Sequence, residues 1–172
     1  MADKKEAFLR QINENIGIAH KVSRIYFDEV EEREDVIQEM MYQLWRSFET
    51  FDGKSKFSTW MYRVCLNTAL TYRRKREKQK HEPLTSGHSS IEEQKGSDKE
   101  ESISLLYRAI SHLNEINKAI VLLYLEDLSY EEIASITGLT KSNVSVRIVR
   151  IKKELETIIT TLSKHSEHVG SR

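Results

Sequence analysis

"LSYEEIASITGLTKSNVSVRIVRIKKEL", residues 128–155, decides how this chain is read. Ser129 stands three residues before Glu132, the spacing of a capping box, so a helix starts there. Gly138 ends it, because glycine reaches a left-handed C-cap at little cost. Thr140 is a second N-cap type, and a longer helix follows it. A short capped helix, a glycine turn and a second helix make the helix-turn-helix plan. At about 100° per residue, Val144, Ile148, Ile151 and Leu155 fall on one stripe. That stripe is expected to pack on Ile133, Ile136 and the preceding helices. The opposite side carries Ser142, Val146, Val149 and Lys153, flanked by Ser145 and Arg150, with Lys141, Arg147 and Lys152 nearer the edges. Residues 141–153 include bases and no acid. Such a face suits a phosphate backbone, with serine hydroxyls for base edges or phosphates and outward valines for thymine methyls. The plainer alternative is a solvated basic helix.

Working outward, the composition favours helices. The 172 residues include one proline and six glycines, and Lys plus Arg equals Asp plus Glu at 27 each. A balanced total does not exclude a nucleic-acid partner, since distribution matters more than the sum. The single cysteine, Cys65, sits in an apolar helical pattern and reads as a reduced, buried thiol. No apolar run approaches the roughly 20 residues of a membrane span, and "MADKKEAFLRQ" lacks a signal-peptide core. The expectation is a cytoplasmic protein with no direct membrane insertion.

Helical periodicity predicts one helix over about 4–26, with Phe8, Ile12, Ile16, Ala19 and Val22 inward, a second over about 31–48 and a third over about 56–80. The turn dipeptide Asp52-Gly53 separates the last two. Residues 81–99 contain the only proline, two glycines and many serines, and read as a flexible linker. About four helices follow, with Asn114 capping one. The tail 166–172 reads as frayed. The fold class is therefore all-α: two small helical domains, 1–80 and 100–165, joined by the linker.

The second helix has a core face of Ile37, Met40, Met41, Leu44 and Phe48. Its opposite ridge is Asp35, Gln38, Glu39, Tyr42 and Arg46. The acids there would repel phosphates, and the ridge suits a basic protein partner. The third helix has a main stripe of Phe57, Trp60, Met61, Val64 and Thr68, beside a polar ridge of Thr59, Arg63, Asn67 and Arg74. It ends in a basic run from Arg73 to Lys80. Aromatics on a surface that becomes basic suit single-stranded nucleic acid.

Together, "DVIQEMMYQLWRSFETFDGKSKFSTWMYRVCLNTALTYRRKR" and "AISHLNEINKAIVLLYLEDLSYEEIASITGLTKSNVSVRIVRIKKEL" resemble regions 2 and 4 of bacterial RNA polymerase sigma factors of the extracytoplasmic-function (ECF) subfamily. The resemblance implies a transcription initiation subunit with no catalysis and no cofactor, whose partners are core RNA polymerase, promoter DNA and, often in the family, an anti-sigma factor. It implies that Asp35, Gln38, Glu39, Tyr42 and Arg46 contact core polymerase. It places Lys54, Lys56, Thr59, Trp60, Arg63, Asn67, Arg73 and Arg74 at the −10 element, which the family opens with a base flipped into a pocket. It places Lys141, Ser142, Asn143, Ser145, Val146, Arg147, Val149, Arg150 and Lys153 at the −35 element. Ser145 and Val149 stand where the family often has an arginine and a larger aromatic, so no promoter sequence carries over. Two other classes compete. A helix-turn-helix operator-binding regulator would act without core polymerase and would not need the Asp35–Arg46 ridge. An enzyme would need convergent acids, histidines or a metal set, and the six histidines are scattered.

Overall fold

A computed structural model describes residues 2–79 and 98–169. It is all-helical, with no strand among the described residues. The chain divides into two compact units, Met1–Ser90 and Ile91–Arg172. Residues 81–97 of the stretch read as a linker lie outside the described residues, whereas Asp98 and Lys99 already belong to a helix.

Unit 1 contains α1 (Ala2–Asn15), α2 (Gly17–Tyr26), α3 (Val30–Ser47), a single 3-10 turn (Phe48–Thr50) and α4 (Phe57–Gln79). The single helix expected over 4–26 is thus two. Ile16 stays in the helical region, but the Ala19 amide reaches back three residues to its carbonyl at 3.1 Å. The regular four-residue bond from His20 is stretched to 3.5 Å. Gly17 supplies no side chain to hold the ladder there, and Asn15 Nδ2 turns back to the Gln11 carbonyl at 2.8 Å. The apolar spacing continues across the break, so Phe8, Ile12, Ala19 and Val22 are all buried. Periodicity alone therefore could not reveal it.

Helices α2, α3 and α4 pack on one another around Val22, Val36, Met40, Leu44, Met61, Cys65 and Ala69. The turn between α2 and α3 is clasped by Arg33. Its Nε donates to the Phe27 carbonyl at 2.8 Å and its Nη2 to the Asp28 carbonyl at 2.9 Å. These charged donors cover acceptors that the end of a helix leaves without partners.

Unit 2 contains α5 (Asp98–Ser111), α6 (Glu115–Leu125), α7 (Tyr130–Thr137) and α8 (Lys141–Val169). Its core is Ala109, Ile110, Ile120, Leu123, Ile133, Val144, Ile148 and Ile151. Helix α6 is buried over most of its length because α5, α7 and α8 all pack against it. Asn114 caps it, accepting from the Asn117 amide at 3.0 Å. At its other end Asp127 takes a left-handed φ of 58°. The Asp127 and Leu128 amides then reach the Tyr124 and Leu123 carbonyls, each at 3.1 Å. That pair of bonds is a Schellman closure, with aspartate where glycine is usual. Helix α8 continues to Val169, so the residues 166–169 expected to be frayed are helical.

Candidate functional site

The turn between α7 and α8 follows from three short-range interactions. Ser129 accepts from the Glu132 amide, and the Glu132 side chain accepts from the Ser129 amide at 2.9 Å. Gly138 closes α7 at a left-handed φ of 76°. Its amide donates to the Ala134 carbonyl at 2.9 Å. Thr140 Oγ1 then accepts from the Asn143 amide at 3.2 Å, starting α8. Within α8, Val144, Ile148, Ile151 and Leu155 are buried, as the spacing predicts. Ile133, on α7, is buried too.

The opposite face of α8 is open. Ser142, Asn143, Val146, Val149, Arg150 and Lys153 are exposed, and Ser145 is half-buried. Val146 and Val149 are 49% and 55% exposed, one turn apart. Two valines held in water next to polar neighbours are available to an apolar contact such as a thymine methyl. The edge cations behave differently. Lys141 pairs with Glu131 of α7, and that contact holds the Glu131 carboxyl below its ordinary range. Arg147 is half-buried and donates from Nη1 to Asn117 Oδ1 at 3.2 Å. Lys152 donates to Tyr124 Oη at 2.8 Å, and its ammonium lies 4.5 Å from the ring centre. Sequence reasoning missed Asn117, Tyr124 and Glu131 as partners. Asn117 is one of three polar or charged residues, with Glu115 and Lys118, in the first turn of a helix that is apolar beyond it, which does not name what it meets.

On α3, Asp35, Gln38, Tyr42 and Arg46 are exposed as a continuous ridge. Glu39 is half-buried and accepts from Gln43 Nε2 at 2.8 Å. Val36, Met40 and Leu44 bear the core contact, with Ile37, Met41 and Phe48 half-buried beside them. The ridge has an aromatic flank that sequence reasoning passed over. Trp45 is 48% exposed, two turns on from Gln38, and packs edge-on against Phe8 at 5.1 Å. Seven-residue spacing from Gln38 was the available signal.

Before α4, the loop turns at Gly53 with φ of 71°. Asp52 Oδ1 accepts from the Lys54 amide at 3.1 Å and its other oxygen pairs with Lys54 Nζ at 2.6 Å. The Lys54 hydrogen bond lowers the Asp52 pKa, and Asp52 raises that of Lys54. Lys56 is exposed. Behind the loop, Phe51, Phe57 and Trp60 form a cluster with centroid separations of 5.1, 5.2 and 5.7 Å.

The buried side of α4 departs from the expected stripe. Met61, Tyr62, Cys65, Leu66, Thr68 and Ala69 are buried, whereas Phe57, Trp60 and Val64 are only half-buried. Helix α4 packs on both α2 and α3, so its buried arc is wide and is centred beyond the predicted one. Thr59, expected on the polar ridge, is consequently inside at 6% exposure. Arg63, Asn67 and Arg74 of the same ridge are exposed. Arg73 pairs with Glu77 at 3.1 Å. Arg76 pairs with Glu32 of α3 at 2.6 Å, which ties the basic run to the domain.

Among the described residues no group of His, Cys, Asp and Glu could hold a metal ion, and no helix is long and apolar enough to cross a membrane. Two family models match. "Sigma-70 region 2" covers residues 12–79 and "Sigma-70, region 4" covers residues 103–155. The ECF RNA polymerase sigma-E factor of Escherichia coli (strain K12) is 34% identical, over 71% of this chain and 71% of its own length. The sigma-E factor of Haemophilus influenzae is 32% identical, over 74% and 75%. The fold is similar to that of the sigma factor RpoE in its complex with the anti-sigma factor NepR from Bartonella quintana (TM-score 0.65, 18% identity, 93% and 98% covered). It is also similar to CnrH in complex with the cytosolic domain of CnrY (TM-score 0.66, 18% identity, 91% and 90% covered). With an open basic face on α8 in one unit and an acid-and-amide ridge on α3 in the other, the sequence matches across both units place the chain in the ECF subfamily of RNA polymerase sigma factors, the subunits that direct promoter-specific transcription initiation.

Proposed function

We propose that the two units divide the work of initiation. In unit 1, the α3 ridge of Asp35, Gln38, Glu39, Tyr42 and Arg46 docks on core RNA polymerase. Lys54, Lys56, Trp60, Arg63, Asn67, Arg73 and Arg74 engage the −10 element, where the aromatics behind the loop back a flipped base. In unit 2, the α8 face from Lys141 to Lys153 lies in the major groove of the −35 element. The two units are residues 1–80 and 98–165, and residues 81–97 are the tether between them, since Asp98 and Lys99 open α5. The protein acts in the cytoplasm, on the polymerase already there, and contributes no chemistry of its own. A regulatory protein partner of the anti-sigma kind fits the chain, since the RpoE neighbour is bound to such a factor.

The observation that carries this reading is the pairing of surfaces of opposite character in one chain. Helix α8 opens a face without an acid, and α3 opens a face that phosphates would repel. An operator-binding regulator has no use for the second. The test is transcription with purified core enzyme on a promoter library. The parent protein gives defined start sites. The Asp35→Ala, Gln38→Ala, Glu39→Ala triple variant stays folded and melts close to the parent, since Asp35 and Gln38 are exposed, at about 0.5 kcal/mol or less each, and the half-buried Glu39 gives up only its bond to Gln43. It loses most of its affinity for core enzyme. Undiminished core binding by the triple variant removes the docking surface, and DNA binding without any start site favours the operator-binding reading.

A further inference from the structure

Resting on the reading of α8 as the groove-binding helix, we infer that Asn117 and Tyr124 of α6 are positioning residues that pre-set two phosphate contacts, through Arg147 and Lys152, on opposite walls of the groove. Arg147 and Lys152 flank the buried Val144–Leu155 stripe, one on each side. Each is fixed by a polar side chain from the same neighbouring helix. Arg147 Nη1 donates to Asn117 Oδ1 at 3.2 Å. Lys152 Nζ donates to Tyr124 Oη at 2.8 Å and rests 4.5 Å from that ring's centre. Asn117 and Tyr124 are seven residues apart, two turns of α6, so one face of a buried helix serves both flanks of α8.

The geometry of duplex DNA explains why those flanks matter. The major groove is roughly 12 Å wide, close to the diameter of a helix with its side chains. A helix seated there turns its outer face to the bases and its two flanks to the two sugar-phosphate strands. Arg147 spends one of its five N–H donors on Asn117, and Lys152 one of three on Tyr124. Donors remain for a phosphate on each side. Because the stems are already immobilised, less rotamer freedom is lost on binding. Asn117 is 8% exposed, so this anchor is part of the domain core rather than a surface accident. The hydrogen bond from Lys152 to Tyr124 also raises the lysine pKa, which keeps it cationic.

The test uses the full chain with core polymerase, measuring binding to a promoter that the parent transcribes, as a function of salt. Arg147→Ala and Lys152→Ala should each reduce the log–log salt slope by about 0.9, the value of one phosphate contact. Tyr124→Phe keeps the ring and loses only the hydroxyl. It should weaken binding roughly twofold to tenfold, the reach of one hydrogen bond, with no change in preferred sequence. Added to Lys152→Ala, it should cost nothing further, because its effect passes through the lysine. Asn117→Asp, which keeps the acceptor, should retain the Arg147 contact that Asn117→Leu loses. Unchanged slopes in both cation variants overturn the inference while leaving promoter recognition intact. So does a full Tyr124→Phe effect in the Lys152→Ala background. Failure of the parent to bind promoters at all overturns the reading beneath it instead.

Discussion

Cys65 shows how completely the environment sets the character of one side chain. It is fully buried, and desolvation pushes its thiol pKa up to about 12 from an ordinary value of 9.0. The unfolded chain releases this proton near pH 9 and the native protein does not, so above that pH the unfolded state binds fewer protons. Stability therefore falls with rising pH between about 9 and 12, by at most ~1.4 kcal/mol per unit from this group. At pH 9, iodoacetamide should leave native Cys65 unmodified over a time that fully alkylates it in guanidinium. Rapid native alkylation would show that the core opens locally. The buried thiol was legible in the sequence, because Cys65 lies among apolar residues at helical spacing. Thr59 was not. A threonine reads as polar on a helical wheel, and only the packing of α4 against two other helices brings it inside.

Among the elements, those with local signals were legible and those set by partners were not. The Ser129–Glu132 capping box, the Gly138 stop and the Asn114 cap are encoded within four residues of where they act, and all three form. The rotated buried arc of α4 depends on neighbours distant in sequence, and the α1–α2 break on a ladder weakened without losing its apolar period. Helix α6 illustrates a local signal of the wrong type. Its C-terminal closure has the Schellman bonds, yet the left-handed position holds Asp127 at φ 58°. Replacing Asp127 by Gly should remove the steric cost of that conformation, which exceeds the added entropy of the unfolded chain. The expected gain is about 0.5–1 kcal/mol in urea unfolding, with α6 retained. A loss instead would mean that the Asp127 carboxylate contributes more than its backbone costs.

At the scale of the whole chain, each unit has its own buried core, one centred on Met40, Leu44 and Met61, the other on Ile120, Leu123 and Ile133. The two-domain plan and both principal surfaces could be read from sequence, because hydrophobic period and charge segregation are properties of single helices. The anchoring of Arg147 and Lys152 by α6 could not, since it joins residues 30 and 28 positions apart. Separate expression of residues 1–80 and 98–172 should give two fragments that each melt cooperatively, with far-UV spectra that add to that of the full chain. A fragment without a cooperative transition would show that its core needs the other unit. The placement of the two tryptophans gives these units different optical visibility. Trp45 and Trp60 both lie in unit 1, one beside the acidic ridge and the other behind the loop before α4. Light absorbed selectively by indole is therefore emitted from that half alone. Unit 2, with tyrosine as its only aromatic chromophore of the near ultraviolet, is dark to such excitation. The chain thus carries a built-in fluorophore at each of the two surfaces of unit 1, so quenching or a spectral shift during complex assembly reports events there before any dye is attached.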